Sequence, residues 1–357
     1  LSDWSSWKWQ LRNSIKSYDG LNIVAENGLL KEEIDALLYK DKFPFSITPY
    51  YASLIDFSDK NFPLRKMVIP SIYEQNFSQG EFSDPLSEEK DSPVRCIVHR
   101  YPDRVLFLAT DFCSSYCRYC TRSRLVGKDD ECLQGYWDEG IEYIKSNKNI
   151  RDVLISGGDP LTLNDSKLYS LLSKLRFIDH VEIIRIGTKV PVVLPQRITK
   201  NFVKMFKEFH PLWMNIHFTH PYEITNDVIN ACTILVDAGI PLGSQTVLLK
   251  GINDNVNILK ELFLKLVKIR VRPYYLYLCD KILGSSHFRV PIRVGIDIIN
   301  KLRGNITGFA IPNFVVDLPE GGGKSHVMSS SIHHTECDST MSIKSYNGKL
   351  IYYRDNL

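Results

Sequence analysis

The run Cys113-Ser114-Ser115-Tyr116-Cys117-Arg118-Tyr119-Cys120 puts three thiols within eight residues. It follows an apolar, β-prone stretch, so it reads as a loop at a strand end. Thiolates spaced CxxxCxxC can bind one compact inorganic centre. A four-iron cluster ordinarily takes four cysteines, so three leave one iron open to another ligand. Structural zinc wants four ligands, usually as two separated pairs. Three thiols without metal is the plainest alternative. Ser156-Gly157-Gly158-Asp159 is either an ordinary strand-to-helix turn or backbone that approaches a ligand closely. Gly321-Gly322-Gly323-Lys324 lacks the spacing of a phosphate loop. It is a surface lysine on a flexible loop, or an amine on a mobile arm that can form a Schiff base with a carbonyl such as pyridoxal phosphate (PLP). Arg100 and Arg104, four apart, can fork onto one phosphate or form a solvated pair.

These residues need a frame. From about residue 96, β-prone runs alternate with helical patterns. The expected strands are Val105–Ala109, Asp152–Ser156, Val181–Ile186, Trp213–Phe218, Ser244–Leu249 and Arg272–Leu278. Between them Leu168, Leu171, Leu172 and Leu175 mark one face of a helix, as do Leu259, Leu262, Phe263 and Leu266. Trp137, Ile141 and Ile144, and Ile198, Phe202 and Phe206, give shorter versions. Alternation of this kind implies an α/β fold of parallel strands with right-handed crossovers. Six units suit a partial barrel or a doubly wound sheet. Sites in both gather at the C-terminal strand ends. The cysteine loop, Ser156 to Asp159, His217, Gln245 and Asp280 all fall there.

Residues 1–95 read as a mostly helical N-terminal region without chemistry of its own. Trp4, Trp7, Trp9 and Leu11 look like a core-packing helix face. Ile47–Leu54 looks helical, and residues 83–93 look like a polar loop. Residues 96–310 form the alternating region. Residues 311–357 form a C-terminal segment that closes on a strand-like Lys349–Tyr353.

Composition narrows the function classes. The 357 residues carry 44 Lys plus Arg against 41 Asp plus Glu, a formal charge of +3. That balance argues against a nucleic-acid binder. No apolar run approaches the roughly 18 residues of a membrane span, and no signal-peptide core opens the chain. The eight cysteines are scattered apart from the motif, unlike a disulfide framework. A reducing cytoplasm is the expected location.

The cysteine motif resembles that of radical S-adenosylmethionine (SAM) enzymes. The continuation Cys117-Arg118-Tyr119-Cys120-Thr121-Arg122 narrows the resemblance to the lysine 2,3-aminomutase family. The Val315-Val316-Asp317 run followed by the glycine-rich segment resembles it too. The resemblance runs from Asp3-Trp4 through Lys324.

It implies a radical SAM partial (β/α)6 barrel, with a [4Fe-4S] cluster on Cys113, Cys117 and Cys120. SAM would meet Tyr119, Ser156, Gly157, Gly158, Asp159, His217 and Gln245. PLP would sit on Lys324, with Arg100 and Arg104 on its phosphate. Arg122 would take the substrate carboxylate, and Asp280 and Asp317 the distal ammonium of L-lysine. The implied reaction moves the α-amino group of lysine to Cβ. Lysine would displace Lys324 from the PLP aldimine, and a 5′-deoxyadenosyl radical would remove a β-hydrogen. A flavodoxin- or ferredoxin-type reductant and a homo-oligomer are further implications.

Some relatives have His at the place of Tyr119 and Gly at the place of Glu320. Some add a Cys-rich tail that binds zinc, with a further cysteine at the place of Asn255. Both zinc elements are missing here, so no zinc is expected. An arginine aminomutase is a second expectation, since a guanidinium also fits between two carboxylates. A non-catalytic iron–sulfur electron carrier is an alternative from another class.

Overall fold

Nine strands form one sheet whose spatial order follows the sequence. They are β1 (Ile97–Tyr101), β2 (Arg104–Thr110), β3 (Asp152–Gly157), β4 (Ile183–Thr188), β5 (Leu212–His217), β6 (Leu242–Leu248), β7 (Val271–Leu278), β8 (Asn313–Leu318) and β9 (Gly323–His326). The computed structural model describes residues 3–26, 28–39, 43–127, 133–318, 321–328, 332–334, 340–344 and 349–354. Strands β2 to β8 run parallel, and β1 and β9 flank them antiparallel.

Six crossovers carry helices. They hold α6 (Trp137–Ser146), α7 (Asp165–Arg176), α8 and α9 (Val190–Val193 and Lys200–Phe206), α10 (Asn226–Asp237), α11 (Val256–Lys268) and α12 (Ile292–Leu302). Five short helices precede the sheet: α1 (Trp7–Arg12), α2 (Tyr18–Val24), α3 (Lys31–Leu38), α4 (Pro49–Ala52) and α5 (Pro63–Val68). The expected six-unit partial barrel is therefore present, with one parallel strand and two flanking strands more than the expected set. The sheet curls until its edges meet. The Lys324 amide on β9 donates to the Tyr101 hydroxyl at the end of β1, 2.9 Å away. One side-chain bond bridges the gap where strand pairing would close a full barrel.

Strand alternation explains the lumen. Along β3 and β6, Val153, Ile155, Ser244 and Thr246 are fully buried on the outer face. The helix faces opposite, Leu168, Leu171, Leu172 and Leu175 on α7 and Leu259, Leu262, Phe263 and Leu266 on α11, are wholly buried. Each such side chain contributes about 1.5–3 kcal/mol of burial. The inner positions are different. Arg104, Asp152, Arg185, Gln245 and Tyr277 line a cavity. Small barrels are normally filled by apolar inward side chains. Here polar ones leave the lumen open. A register shift between β6 and β7 turns both Tyr274 and Tyr275 into it, with their hydroxyls 3.0 Å apart.

The N-terminal region departs from expectation. Trp7 and Leu11 are half-buried against the core, but Trp4 is exposed and Trp9 is only half-buried, so the expected core face holds in part. The buried member of α1 is Gln10, which accepts from the Tyr50 amide at 2.8 Å and donates to the Trp4 carbonyl at 2.9 Å. A tryptophan stripe is a weak core signal when its helix has only six residues. Within Ile47–Leu54 only Pro49–Ala52 is helical, capped by Thr48. A separate antiparallel sheet joins β10 (Ile332–His334), β11 (Thr340–Lys344) and β12 (Leu350–Arg354), and β12 meets the expected terminal strand. Cys132, Glu320, Ser329 to Ser331 and Cys337 lie outside the described residues.

Candidate active site

A cavity of about 1130 Å³ opens at the C-terminal strand ends and runs into the lumen. Every site residue expected from the sequence lines it. They separate into a cysteine pole, an arginine rim and a lysine pole.

At the cysteine pole, Cys113, Cys117 and Cys120 lie on a segment without regular structure after β2. Backbone bonds hold it. The Tyr116 amide donates to the Ser46 carbonyl and the Arg118 amide to the Met67 carbonyl, both at 2.9 Å. The loop is thus fixed by the N-terminal region. Burial pushes the Cys117 thiol up to about 11, with Lys189 opposing. Burial and the Asp159 charge push Cys113 well above the usual thiol range, and burial raises Cys120. Such thiols stay protonated at neutral pH and must lose protons to bind metal. Three thiols lining one cavity, with no disulfide among the described cysteines, leave the motif free to take a cluster, although no group of three or more His, Cys, Asp or Glu among the described residues is placed to hold a single metal ion.

The glycine turn serves the loop's backbone first. Gly157 has φ +118, and a side chain there would strike the Thr110 carbonyl. A side chain on Gly158 would strike Phe112. The Gly158 amide donates to Thr110 and the Asp159 amide to Phe112. The Asp159 carboxylate is spent inward. It accepts from the Thr188 hydroxyl and the Lys189 amide at 2.6 Å, the Val190 amide at 3.0 Å and the Leu161 amide at 3.1 Å. Ser156 keeps its place on the cavity wall.

The Tyr119 ring stacks on His217 at 5.8 Å and meets Phe288 edge-on. Its hydroxyl bonds Thr219 at 2.9 Å and His217 Nε2 at 3.1 Å. Burial, then the Lys189 charge, holds His217 well below its usual range, so it is neutral. Lys189 Nζ pairs with Glu223 at 2.7 Å. Gln245 is not at a strand end. It sits in mid-β6 and donates to the Tyr277 hydroxyl at 3.3 Å.

The rim draws its counter-ions from the N-terminal region. Residues 74–91 supply acids to arginines of the barrel mouth. Glu74 holds Arg118 at 2.6 Å, Glu81 holds Arg289 at 2.6 Å, Glu88 holds Arg122 at 2.7 Å and Asp91 holds Arg100 at 2.7 Å. Arg124 reaches Asp84 at 3.3 Å and Glu89 at 3.1 Å. Buried Glu88 resists ionisation by desolvation, but Arg122, Arg124 and Arg100 outweigh it and lower its range. Arg104 stands apart from Arg100. It pairs with exposed Asp103 and lies 3.9 Å over the Tyr101 ring.

At the lysine pole, Lys324 is not on a flexible arm. It is a β9 residue directly opposite Asp317 on β8. Its Nζ lies 3.1 Å from Asp317 Oδ1 and 5.6 Å from the Tyr277 ring centre. Gly323, with φ +73, abuts the Tyr101 ring, so a side chain would press on it. Asp280 follows β7, and burial plus the Asp317 charge raises its carboxyl to about 7. Two carboxylates beside one amine form a cation site. Arg100 and Arg104, on the neighbouring strands β1 and β2, both line this cavity but keep different partners.

Glu88, Asp91, Lys189 and Tyr277 were not foreseen. The first two lie in a run that reads only as a polar loop, and a local pattern does not reveal a partner 34 residues away.

A family model for the radical SAM superfamily matches residues 107–262, and one for lysine-2,3-aminomutase matches residues 299–356. The L-lysine 2,3-aminomutase of Clostridium subterminale is 49% identical over 356 residues, covering 99% of this chain and 85% of that one. That of Fusobacterium nucleatum subsp. nucleatum is 51% identical over 328 residues, covering 91% and 77%. The glutamate 2,3-aminomutase of Clostridioides difficile is 41% identical over 355 residues, covering 99% and 83%.

Proposed function

The chain belongs to the lysine 2,3-aminomutase family of radical SAM proteins, and from that premise we propose that it is an isomerase interconverting L-lysine and L-β-lysine. The observation that carries the reading is that one cavity brings together the three thiols, Arg122, Asp280, Asp317 and Lys324, with the Lys324 amine 3.1 Å from Asp317.

Cys113, Cys117 and Cys120 hold a [4Fe-4S] cluster in this reading. Tyr119, the turn from Ser156 to Asp159, His217 and Gln245 surround SAM. Lys324 carries PLP, with Arg100 and Arg104 at its phosphate. When bound, cluster and SAM supply reversible hydrogen abstraction, and the pyridoxal ring supplies delocalisation for the migrating nitrogen. The chain's own residues do the rest. Arg122 fixes the substrate carboxylate, which orients Cα and Cβ near the cysteine pole. Asp280 and Asp317 take the side-chain ammonium. A glutamate side chain at that pole would meet two like charges.

The substrate is a small amino acid. The reductant in this reading is of flavodoxin or ferredoxin type, the assembly a homo-oligomer and the location the cytoplasm. Among the described residues no helix is long and apolar enough to cross a membrane.

An anaerobic assay offering lysine, arginine and glutamate side by side tests the reading. Lysine is expected to be turned over fastest. Faster arginine turnover would move the assignment to an arginine enzyme. A cluster-bearing protein that takes up no PLP and converts none of the three would make it an electron carrier.

A further inference from the structure

We infer that Glu88 and Asp91 are positioning residues that grip two anion-reading arginines by the same edge and leave a third nitrogen of each for ligand; this rests on the site reading above. In Arg122, Nε donates to both Glu88 oxygens at 3.1 and 3.0 Å and Nη2 to Glu88 Oε1 at 2.7 Å. In Arg100, Nε donates to Asp91 at 2.7 Å and Nη2 to the Leu86 carbonyl. In both, Nη1 has no hydrogen bond among the described residues, and both side chains line the cavity.

Two neighbouring arginines show the contrast. Arg118 spends Nε and Nη2 on Glu74 and Nη1 on the Pro44 carbonyl at 2.7 Å. Arg124 donates Nε to Glu89 and Nη1 to the Thr121 carbonyl at 3.4 Å, while its Nη2 lies at ion-pair distance from Asp84 (3.3 Å) and Glu88 (3.6 Å) without a hydrogen bond to Asp84. In those two Nη1 is already taken by a backbone carbonyl. Arg100 and Arg122 are held equally firmly yet keep one donor in reserve. A guanidinium presents its donors in a fixed fork, so pinning one edge sets the direction of the remaining N–H groups. Segment 86–91 thereby fixes both the direction and the separation of the two anion positions: Arg122 for the carboxylate of the amino acid, Arg100 for the phosphate of the cofactor.

The inference predicts a double dissociation. Glu88→Gln raises the KM for lysine about tenfold, the scale of one charge-assisted hydrogen bond, while the Kd for PLP, read by absorbance titration of the PLP-free protein, stays within twofold. Asp91→Asn raises that Kd about tenfold, and at saturating PLP the KM for lysine is unchanged. Arg122→Lys has no second edge to offer, so adding Glu88→Gln to it costs nothing further. Glu88→Gln and Asp91→Asn each shifting both constants together would mean a merely structural strap and overturn the inference, as would neither shifting either. Additive KM effects in the double variant would overturn it too. If Arg122→Lys itself leaves the KM for lysine unchanged, it is the site reading that fails.

Discussion

The two poles of the cavity are built in opposite ways. The cysteine loop has no regular structure, and its shape comes from distant backbone: Ser46 and Met67 before it, Gly158 and Asp159 after it. The amine of Lys324 is placed by strand register, opposite Asp317 in an antiparallel pair. The electrostatics differ as well. The three thiols are half-buried and raised, while Lys324 already has a counter-ion 3.1 Å away. A loop whose ligands will be cross-linked by metal can be left irregular, because the metal supplies the final rigidity. An amine that must leave its partner and return to it gains from a backbone that does not move. Rigid strands position a functional group more accurately than loops do.

If the poles are separately built, they should fail separately. The largest effect is expected from Cys113→Ala, Cys117→Ala or Cys120→Ala. Each should reduce SAM cleavage to background and prevent assembly of a full four-iron cluster, with PLP uptake intact. A variant that reconstitutes four irons and cleaves SAM normally would break the comparison. Lys324→Ala should do the reverse, abolishing turnover and covalent pyridoxal attachment but sparing cluster content and SAM binding. Borohydride reduction and peptide mapping locate the attachment, and a pyridoxyl group on another lysine of the wild type would remove the lysine pole from the site.

The two poles were unequally legible in the sequence. Thiol spacing is local, so Cys113 to Cys120 could be recognised without any fold. The helix faces of Leu168 to Leu175 and Leu259 to Leu266 were equally plain, because burial on one side imposes a 3.6-residue period. Strand β9 was missed, because Gly323 to His326 is short and begins in a glycine run, and it makes a strand only by pairing with β8. Lys324 could therefore be assigned its chemistry but not its rigidity. Strand β1 was missed for a related reason: its outer half is His99, Arg100 and Tyr101, which carry no apolar alternation. The counter-ions Glu88 and Asp91 were illegible because ion pairing across the chain leaves no period. Gln245 was misjudged by position. It is expected at a C-terminal strand end, but β6 runs from Leu242 to Leu248 and puts Gln245 in its middle.

At the lysine pole the two carboxylates should be unequal. Asp317 already pairs with Lys324, whereas Asp280 makes no ion pair among the described residues. Charge-assisted hydrogen bonds contribute roughly 1.5–3 kcal/mol. Each of Asp280→Asn and Asp317→Asn should therefore lower kcat/KM for lysine by about one to two powers of ten. Asp317→Asn should also weaken PLP uptake, because Lys324 loses its neighbour, and Asp280→Asn should not. Equal PLP uptake in both variants would show that the Asp317–Lys324 contact has no part in placing the amine. Norleucine should gain relative to lysine in the double variant, and unchanged lysine turnover there would mean that the carboxylates do not read the side chain.

The smallest expected effect is also the most specific to this pole. Asp280 titrates near pH about 7 because burial and then the Asp317 charge disfavour its ionised form, with Lys324 opposing. Only the carboxylate attracts an ammonium, so lysine binding is weak below that pH and strengthens as pH rises through it. The pH dependence of kcat/KM reports groups of the free enzyme. It should therefore show an acid limb near neutrality. Asp317→Asn removes a like charge and lets Asp280 ionise more easily. Its acid limb should move to lower pH, even though its plateau is lower. Asp280→Asn should lose this limb, since the titrating group is gone. At the cysteine pole burial also raises Asp159, with its four donors from the backbone and Thr188 opposing. Measuring kcat/KM for lysine from pH 5 to 9 in the wild type and both variants separates the cases. An acid limb that survives in Asp280→Asn, or that stays in place in Asp317→Asn, would show that the two carboxylates do not share one charge site.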